Sequence, residues 1–177
     1  MVDSVMFAVP NEWDRNAAGQ NDVQIPQMIQ GRVGPNAKMQ EQKLELSDLS
    51  IRQITSPHFP VQVNRVPENS DVRAPVEQGD YMLLHPPAAI SLDIRGVAEL
   101  SGHFVITNSR SNGAYVYFRM ENGRVLHKTP LITYEKSLPF IVAVPHGPGR
   151  LIIATNGNDN EDMDHLFWTK IRIRARK

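Results

Sequence analysis

The segment from residue 156 to residue 165, NGNDNEDMDH, concentrates side chains that can ligate a cation or bond hydroxyl groups. Four carboxylates and three asparagines fall within nine positions, which predicts an exposed loop. Three roles remain open: a Ca²⁺ site with Asp159 and Asp162 as ligands, a site for sugar hydroxyls, and plain solvation. The EF-hand pattern does not fit, because Thr169 stands where that motif needs a bidentate carboxylate.

Asp164 and His165 end this loop and lead directly into the last predicted strand. A carboxylate can orient an imidazole, and both groups can bond sugar hydroxyls; the alternative is a hydrogen bond that closes the loop. Residues 167–175 alternate with period two, and Phe167 and Ile173 fall on the predicted core face. Trp168 falls on the other face, which favours stacking on a ligand, although packing under a loop is the alternative.

Three further residues could contact the same ligand. His85 stands before two prolines that hold it rigidly, which suits either a ligand contact or a local cap. Arg110 and Asn112 lie in a loop spanning residues 108–113 and supply planar hydrogen-bond donors, although turn chemistry alone explains Asn112 before Gly113. If this loop and the acidic loop share one end of the molecule, their polar groups converge there.

An exposed aromatic pair is also predicted on a central strand. Residues 114–120 alternate, which places Val116 and Phe118 inward and Tyr115 and Tyr117 outward. The two tyrosines could form a platform for the C–H face of a sugar, or a cross-strand pair within the sheet.

Composition narrows the classes of function. The chain has 177 residues, which suffices for one domain with an extension. Lys plus Arg and Asp plus Glu each number 19, so no net charge directs the protein to nucleic acid or an anionic membrane. Cysteine is absent, which excludes thiolate catalysis and cysteine-ligated zinc. No apolar run approaches the length of about 18 residues that a membrane span needs.

The beginning of the chain predicts no signal peptide, because it lacks a basic region and its apolar run, residues 5–9, is short. The location is therefore unassigned. An extracellular or virion-surface position would require lysis or a dedicated export route.

Short apolar runs separated by turn residues predict an all-β sandwich of eight or nine strands. Asn122-Gly123 predicts a type I′ hairpin, and the apolar runs at 140–144 and 151–155 predict strands that are central or buried on both faces. The sequence predicts that residues 1–43 form an irregular arm, in which Trp13 is a candidate anchor. It predicts that residues 44–177 form the sandwich. Periodicity alone leaves the choice between immunoglobulin-like and jelly-roll topologies open.

Four segments, in order, resemble the NPCBM family of carbohydrate-binding modules. They are Leu46-Ser47-Asp48-Leu49, then His85-Pro86-Pro87 with the strand at 89–94, then 104–106 with the hairpin 116–123, and finally Asp164-His165-Leu166-Phe167-Trp168. Pro87 and Asn122 depart from the family's usual residues, and residues 1–43 have no counterpart. The resemblance implies a galactose-binding-domain-like jelly roll that binds glycans through loops at one end, often with a structural Ca²⁺ in related sandwiches.

The sequence therefore predicts a non-catalytic, lectin-like module that binds a glycan through the 108–113 and 156–165 loops. The predicted contacts are His85, Arg110, Asn112, Asp164, His165 and Trp168. An enzyme is not expected, since no glycine-rich phosphate loop and no Gly-x-Ser-x-Gly motif occurs. The alternative is a structural subunit of a virion or appendage, in which residues 1–43 reach a neighbouring copy and form a homo-oligomer.

Overall fold

The computed structural model describes residues 49–76, 78–147, 149–160 and 163–176, together with the backbone pairing of 23–24 and 43–44. This part of the chain contains strands and no helix. The strands are β1 (Val23–Gln24), β2 (Lys43–Leu44), β3 (Ile51–Thr55), β4 (Gln62–Val63), β5 (Met82–Leu83), β6 (Ala88–Asp93), β7 (Val97–Ile106), β8 (Ala114–Met120), β9 (Val125–Lys128), β10 (Leu138–Ala143), β11 (Arg150–Gly157) and β12 (Leu166–Ala175).

Two antiparallel sheets confirm the all-β class. The first sheet has the order β1-β3-β6-β11-β8-β9, and the second has the order β10-β7-β12-β5-β4, with β2 added to β12. Residues pointing between the sheets form one core, and the largest include Phe104, Phe118 and Trp168. The predicted facing of β8 is confirmed, because Val116 and Phe118 lie in that core while Tyr117 lies on the outer face.

Two apolar runs that look alike in sequence occupy different places in the sheets. The run at 151–155 forms the buried part of β11, between β6 and β8, as predicted. The run at 140–144 lies largely in β10, which is an edge strand, and Ile141 is 67% exposed. The prediction that this run is central was therefore wrong, because an apolar run indicates burial of a strand's core face and does not indicate whether the strand has one neighbour or two.

A β-bulge in β12 corrects the predicted facing of its first half. Thr169 pairs with His103 and Arg172 pairs with Ser101, so two residues of β12 stand opposite Gly102 alone. One of those two residues, Lys170, has a φ of 49°. The bulge reverses the alternation, so that Trp168 faces the core together with Ile173.

The turn between β8 and β9 also differs from the predicted type I′ hairpin. Gly123 has a φ of 94°, whereas Asn122 does not enter the left-handed region that a type I′ turn requires. The Gly123 amide donates to the Met120 carbonyl at 2.9 Å, and the Met120 amide donates to the Arg124 carbonyl at 2.8 Å. These bonds describe a three-residue loop in which a type I turn is closed by a glycine bulge.

The segment between β3 and β5 covers the outer face of the second sheet. Val72, Phe59 and Tyr81 pack there against Phe167, and the rings of Tyr81 and Phe167 are 5.6 Å apart. Phe167 is therefore buried on the face opposite Trp168. This covering segment brings additional side chains to the beginning of β12.

The proposed boundary between residues 43 and 44 stays a prediction. Within the arm, β1 pairs with β3, and β2 spans the boundary and pairs with β12. Trp13 and the remainder of the arm lie outside the described residues.

Replacing Gly102 by alanine should destabilise the protein by about 3 kcal/mol or more, through overpacking and backbone strain. A Cβ there would lie 2.5 Å from the Thr169 carbonyl oxygen and 2.6 Å from Trp168 Nε1, at a φ of 152°. Gly79→Ala is the control, because its φ is 101° but nothing lies within 4 Å. Chemical denaturation measures both, and equal losses would contradict the packing argument.

Candidate functional site

Two loops meet at one end of the sandwich, as the sequence predicted. The first follows β7 and the second connects β11 to β12. The Thr107 amide donates to the His165 carbonyl at 3.1 Å, and the Asn158 amide donates to the Gly113 carbonyl at 3.0 Å. Asn158 Nδ2 also donates to the Asn112 carbonyl at 3.0 Å, and Asn112 Nδ2 donates in return to the Asn158 carbonyl. The two loops therefore form a single surface.

Asp164 lies beneath this surface and is fully buried. Its Oδ1 accepts a hydrogen bond from Ser111 Oγ at 2.5 Å, and the same hydroxyl oxygen accepts from the Gly113 amide at 2.9 Å. A Cβ on Gly157 would lie 2.8 Å from Asp164 Oδ2, so the loop passes directly over the carboxylate. Asp164 thus links the two loops through a hydrogen bond. This is the loop-closing role that the sequence analysis gave as the alternative to contact with a ligand.

His85 and His165 pack together behind the loops, with ring centroids 5.5 Å apart. Phe59 stands edge-on to both rings, and His58 lies 5.3 Å from His85. His85 Nδ1 lies 2.9 Å from the Pro86 carbonyl, which assigns the donor proton to that nitrogen. The two histidines are only 4% and 2% exposed, so both are closed to a ligand.

Burial makes these imidazoles hard to protonate. It is the largest influence on His85 and lowers its pKa to about 4; the neighbouring His165 and His58 act in the same direction, against the bond to Pro86. Burial likewise lowers the pKa of His165, although Asp71, whose Oδ1 lies 3.9 Å from His165 Nε2, opposes the shift. His85 and His165 are therefore neutral packing elements at physiological pH.

Trp168 is also fully buried. Its indole donates from Nε1 to the Ser101 carbonyl at 3.2 Å and packs 5.8 Å from the Phe140 ring. The four predicted contact residues His85, Asp164, His165 and Trp168 are thus at most 4% exposed, which favours the packing and loop-closing alternatives over contact with a sugar.

The exposed polar groups of the two loops form what we call the rim. Its members are Arg110, Asn112, Asn158, Asp159 and Asn160, all exposed except the half-buried Asn158. Of the predicted contact residues, Arg110 and Asn112 belong to the rim. The Arg110 amide is fixed by Asn108 Oδ1 at 2.8 Å, which anchors the loop while the side chain stays in solvent.

The sequence analysis missed two exposed apolar side chains, Tyr134 and Leu131, which lie in the segment after β9 and which we call the apolar patch. They are 49% and 38% exposed. Ile132 pairs with Ala114 through backbone bonds of 3.0 and 2.8 Å, and a Cβ on Gly113 would lie 2.7 Å from Leu131 Cδ1. Leu131 therefore adjoins Gly113, and the antiparallel pairing of Ile132 with Ala114 directs the chain from there toward the Asn112 loop, with Tyr134 two residues after Ile132. A lone aromatic within the turn-rich sequence TPLITYEK was the available signal.

The pair predicted as a platform takes a different role. Tyr117 is only 1% exposed and packs on the outer face of the first sheet against Ile152 and Ala154. The Lys128 ammonium lies 5.2 Å from the Tyr115 ring centre and 5.6 Å from that of Tyr117. A cation thus covers both rings from the adjacent strand.

The calcium site stays a prediction. Asp159 is exposed, with a φ of 73°, and Asp162 lies outside the described residues. Within the described ranges no cluster of three or more His, Asp or Glu side chains is arranged to hold a metal.

Comparison with known proteins identifies the fold. No family model and no curated protein sequence matches this chain. Among solved structures, the CBM51-2 and INT domains of Clostridium perfringens ZmpB superpose with a TM-score of 0.53 at 10% identity, covering 80% of this chain and 39% of theirs. The values are the same for that protein with GlcNAc bound.

A further likeness is to the tandem CBM51 modules of a family 98 glycoside hydrolase from Streptococcus pneumoniae, with a TM-score of 0.49 at 11% identity, covering 83% of this chain and 44% of that one. This chain spans less than half of each of these solved chains. Its fold is the β-sandwich found in carbohydrate-binding modules. Among the described residues, no helix could cross a membrane.

The buried histidines predict a loss of stability in mild acid. Above about pH 6.5 the imidazole is neutral in both states. Below that pH, His85 becomes protonated in the unfolded chain, whereas in the folded protein it stays neutral down to about pH 4. The free energy of unfolding therefore falls by about 3 kcal/mol as the pH is lowered across this window. His165 adds to the same fall.

Urea unfolding between pH 7 and pH 4 measures this dependence. His85→Gln should flatten it, and His146→Gln, at an exposed loop position, should leave it unchanged. An unaltered slope in His85→Gln would contradict the assignment.

Proposed function

We propose that this protein is a non-catalytic glycan-binding module related to the NPCBM family, and that its binding surface is the rim together with the patch of Tyr134 and Leu131. The observation that carries the proposal is the convergence of the two loops. Reciprocal bonds between Asn112 and Asn158 join the two loops, and Arg110 and Asp159 are exposed on those same loops.

The chemistry of this surface suits a pyranose. Sugar hydroxyls need paired donors and acceptors, which Arg110, Asn112 and Asp159 supply. The C–H face of a sugar ring needs an aromatic or apolar surface, for which Leu131, next to Gly113, and the exposed Tyr134 are the candidates. The similar fold of a carbohydrate-binding module solved with GlcNAc supports the same reading.

The site is open and lies on loops, so a single sugar would bury little area and bind weakly. The support beneath it offsets part of this weakness, because Asp164 and Ser111 fix the loops before the ligand arrives. We expect useful affinity to come from several sites acting on one polymer.

The alternative, a structural subunit that uses residues 1–43 to bind a neighbouring copy, stays a prediction. Apart from the pairing of β1 and of Lys43, that segment lies outside the described residues.

A glycan array followed by titration calorimetry with galactosides and N-acetylhexosamines tests the proposal. Arg110→Ala should weaken binding about tenfold, because it removes a charge-assisted donor, and Tyr134→Ala should weaken it about three- to tenfold. Tyr134→Phe is the matched control, since it keeps the ring and should keep most of the affinity.

Val76→Ala controls for nonspecific effects, because that side chain is 92% exposed in a loop outside the rim. Failure to bind any sugar at millimolar concentration would refute the proposal. Binding that survives both Arg110→Ala and Tyr134→Ala would place the site elsewhere.

A further inference from the structure

Two buried histidines lie behind the bond that joins the two loops. His165 directly follows Asp164, which accepts this bond from Ser111. The His165 carbonyl also accepts from the Thr107 amide at 3.1 Å. The ring of His165 lies 5.5 Å from that of His85, and the two residues are 2% and 4% exposed. Because Asp164 and His165 are consecutive, a movement that separates Asp164 from Ser111 moves the chain at His165 as well.

The surroundings of this pair do little to stabilise a positive charge. Among the described residues, the titratable side chains that act on the pair are His58 and Asp71. His58 lies 5.3 Å from His85 and disfavours charge there. Asp71 favours charge on His165, but its Oδ1 is 3.9 Å from Nε2 and its side chain is 63% exposed, so water screens it. The neighbouring Asp164 carboxylate is engaged by the other loop.

A protonated His165 would also lack a hydrogen-bond acceptor. Its Nδ1 is buried and makes no hydrogen bond within the described chain. Thr107 Oγ1, which belongs to the neighbouring strand end, is buried and without a partner too, so the two atoms do not satisfy each other. Protonation would place an N–H donor on Nδ1, and a charged donor that is buried and unpaired is costly.

Burial makes the pair resist protonation while the loops are closed. It is the largest influence on both rings, and it lowers the pKa of His85 to about 4 and also lowers the pKa of His165. In a conformation that admits water to the rings, both imidazoles would titrate near their ordinary pKa of about 6.5. That conformation therefore binds protons more tightly than the closed one, and lowering the pH from about 6.5 to about 4 favours it.

The acidic loop has a strained backbone that closure holds in place. Asp159 has a φ of 73° and Met163 a φ of 66°, both in the left-handed region that is unfavourable for residues other than glycine. The loop is fixed to the other one by the bond from Ser111 to Asp164 and by the bonds between Asn112 and Asn158. Opening relieves the strain, so separating the loops costs less than unfolding the strands.

We propose that the pair of His85 and His165 makes the rim acid-sensitive, because protonation of these rings separates the two loops while the strands stay paired. The separation itself requires no ligand. Its consequence rests on the proposed glycan function: the protein would hold its glycan near neutral pH and release it in acid.

Amide hydrogen exchange without sugar tests the separation. The reporters are the amides of Asn158 and Thr107, which donate to the Gly113 and His165 carbonyls, and Ile153 in β11 reports global unfolding. After correction for intrinsic exchange, the opening constant at both reporters should rise roughly twentyfold between pH 7 and pH 5, with Ile153 still the better protected. An unchanged opening constant, or equal protection at all three amides, would overturn the proposal.

Histidine variants separate protonation from packing. His85→Gln should reduce the rise to less than about fivefold, since only His165 then titrates, and the exposed His146→Gln should keep it in full. A variant at His85 that lowers protection equally at both pH values but keeps the rise shows packing alone, which contradicts the proposal. If His85→Gln does not fold, the ring resonances of the unaltered protein decide: both rings should titrate over the pH range in which the loops separate.

Sugar binding is measured separately, at pH values where Ile153 remains protected. The dissociation constant for the sugar found at neutral pH should rise at least about threefold between pH 7 and pH 4, and less in His85→Gln. Loops that open in acid without any sugar binding at neutral pH would refute the glycan function and leave the acid response intact. Binding that is equally tight at both pH values would overturn the acid release.

Discussion

The buried carboxylate of Asp164 joins the two loops at the end of the sandwich on which the proposed function depends. Asp164 has no exposed surface, and a carboxylate withdrawn from water costs several kcal/mol unless hydrogen bonds replace its hydration. Ser111 supplies one such bond, and Ser111 belongs to the loop on the opposite side of the site. The bond from Ser111 to Asp164 therefore ties the two loops together beneath the rim, and the bonds between Asn112 and Asn158 join them at its surface.

Support and contact are consequently carried by different residues. The buried set of His85, Asp164, His165 and Trp168 holds the beginning of β12 in place, and the rim above it remains in solvent. The β12 bulge belongs to the same arrangement, because it lets Trp168 enter the core and Phe167 pack under the covering segment. A surface held in this way loses little conformational entropy when a ligand binds.

Sequence patterns predicted the fold where strands are regular and failed where they are not. The alternation in β8 gave the correct faces for Val116 and Phe118, whereas the same rule assigned Trp168 to the wrong face because a bulge adds a residue between it and Ile173. The meeting of the two loops at one end was an expectation drawn from the family resemblance, and the structure agrees with it. Residue type and spacing could not distinguish an exposed Arg110 from a buried Asp164, because burial depends on partners distant in sequence, and they gave a lone aromatic such as Tyr134 no weight.

The central claim is that sugars bind on the rim and the adjoining apolar patch. Mapping of backbone amide chemical shifts during titration with N-acetylhexosamines and galactosides tests this most directly, because it locates binding without requiring high affinity. The account predicts shifts concentrated at Arg110, Asn112, Asn158 and Tyr134 that saturate at millimolar sugar. Shifts confined to the opposite end of the sandwich, or none at all, would contradict it.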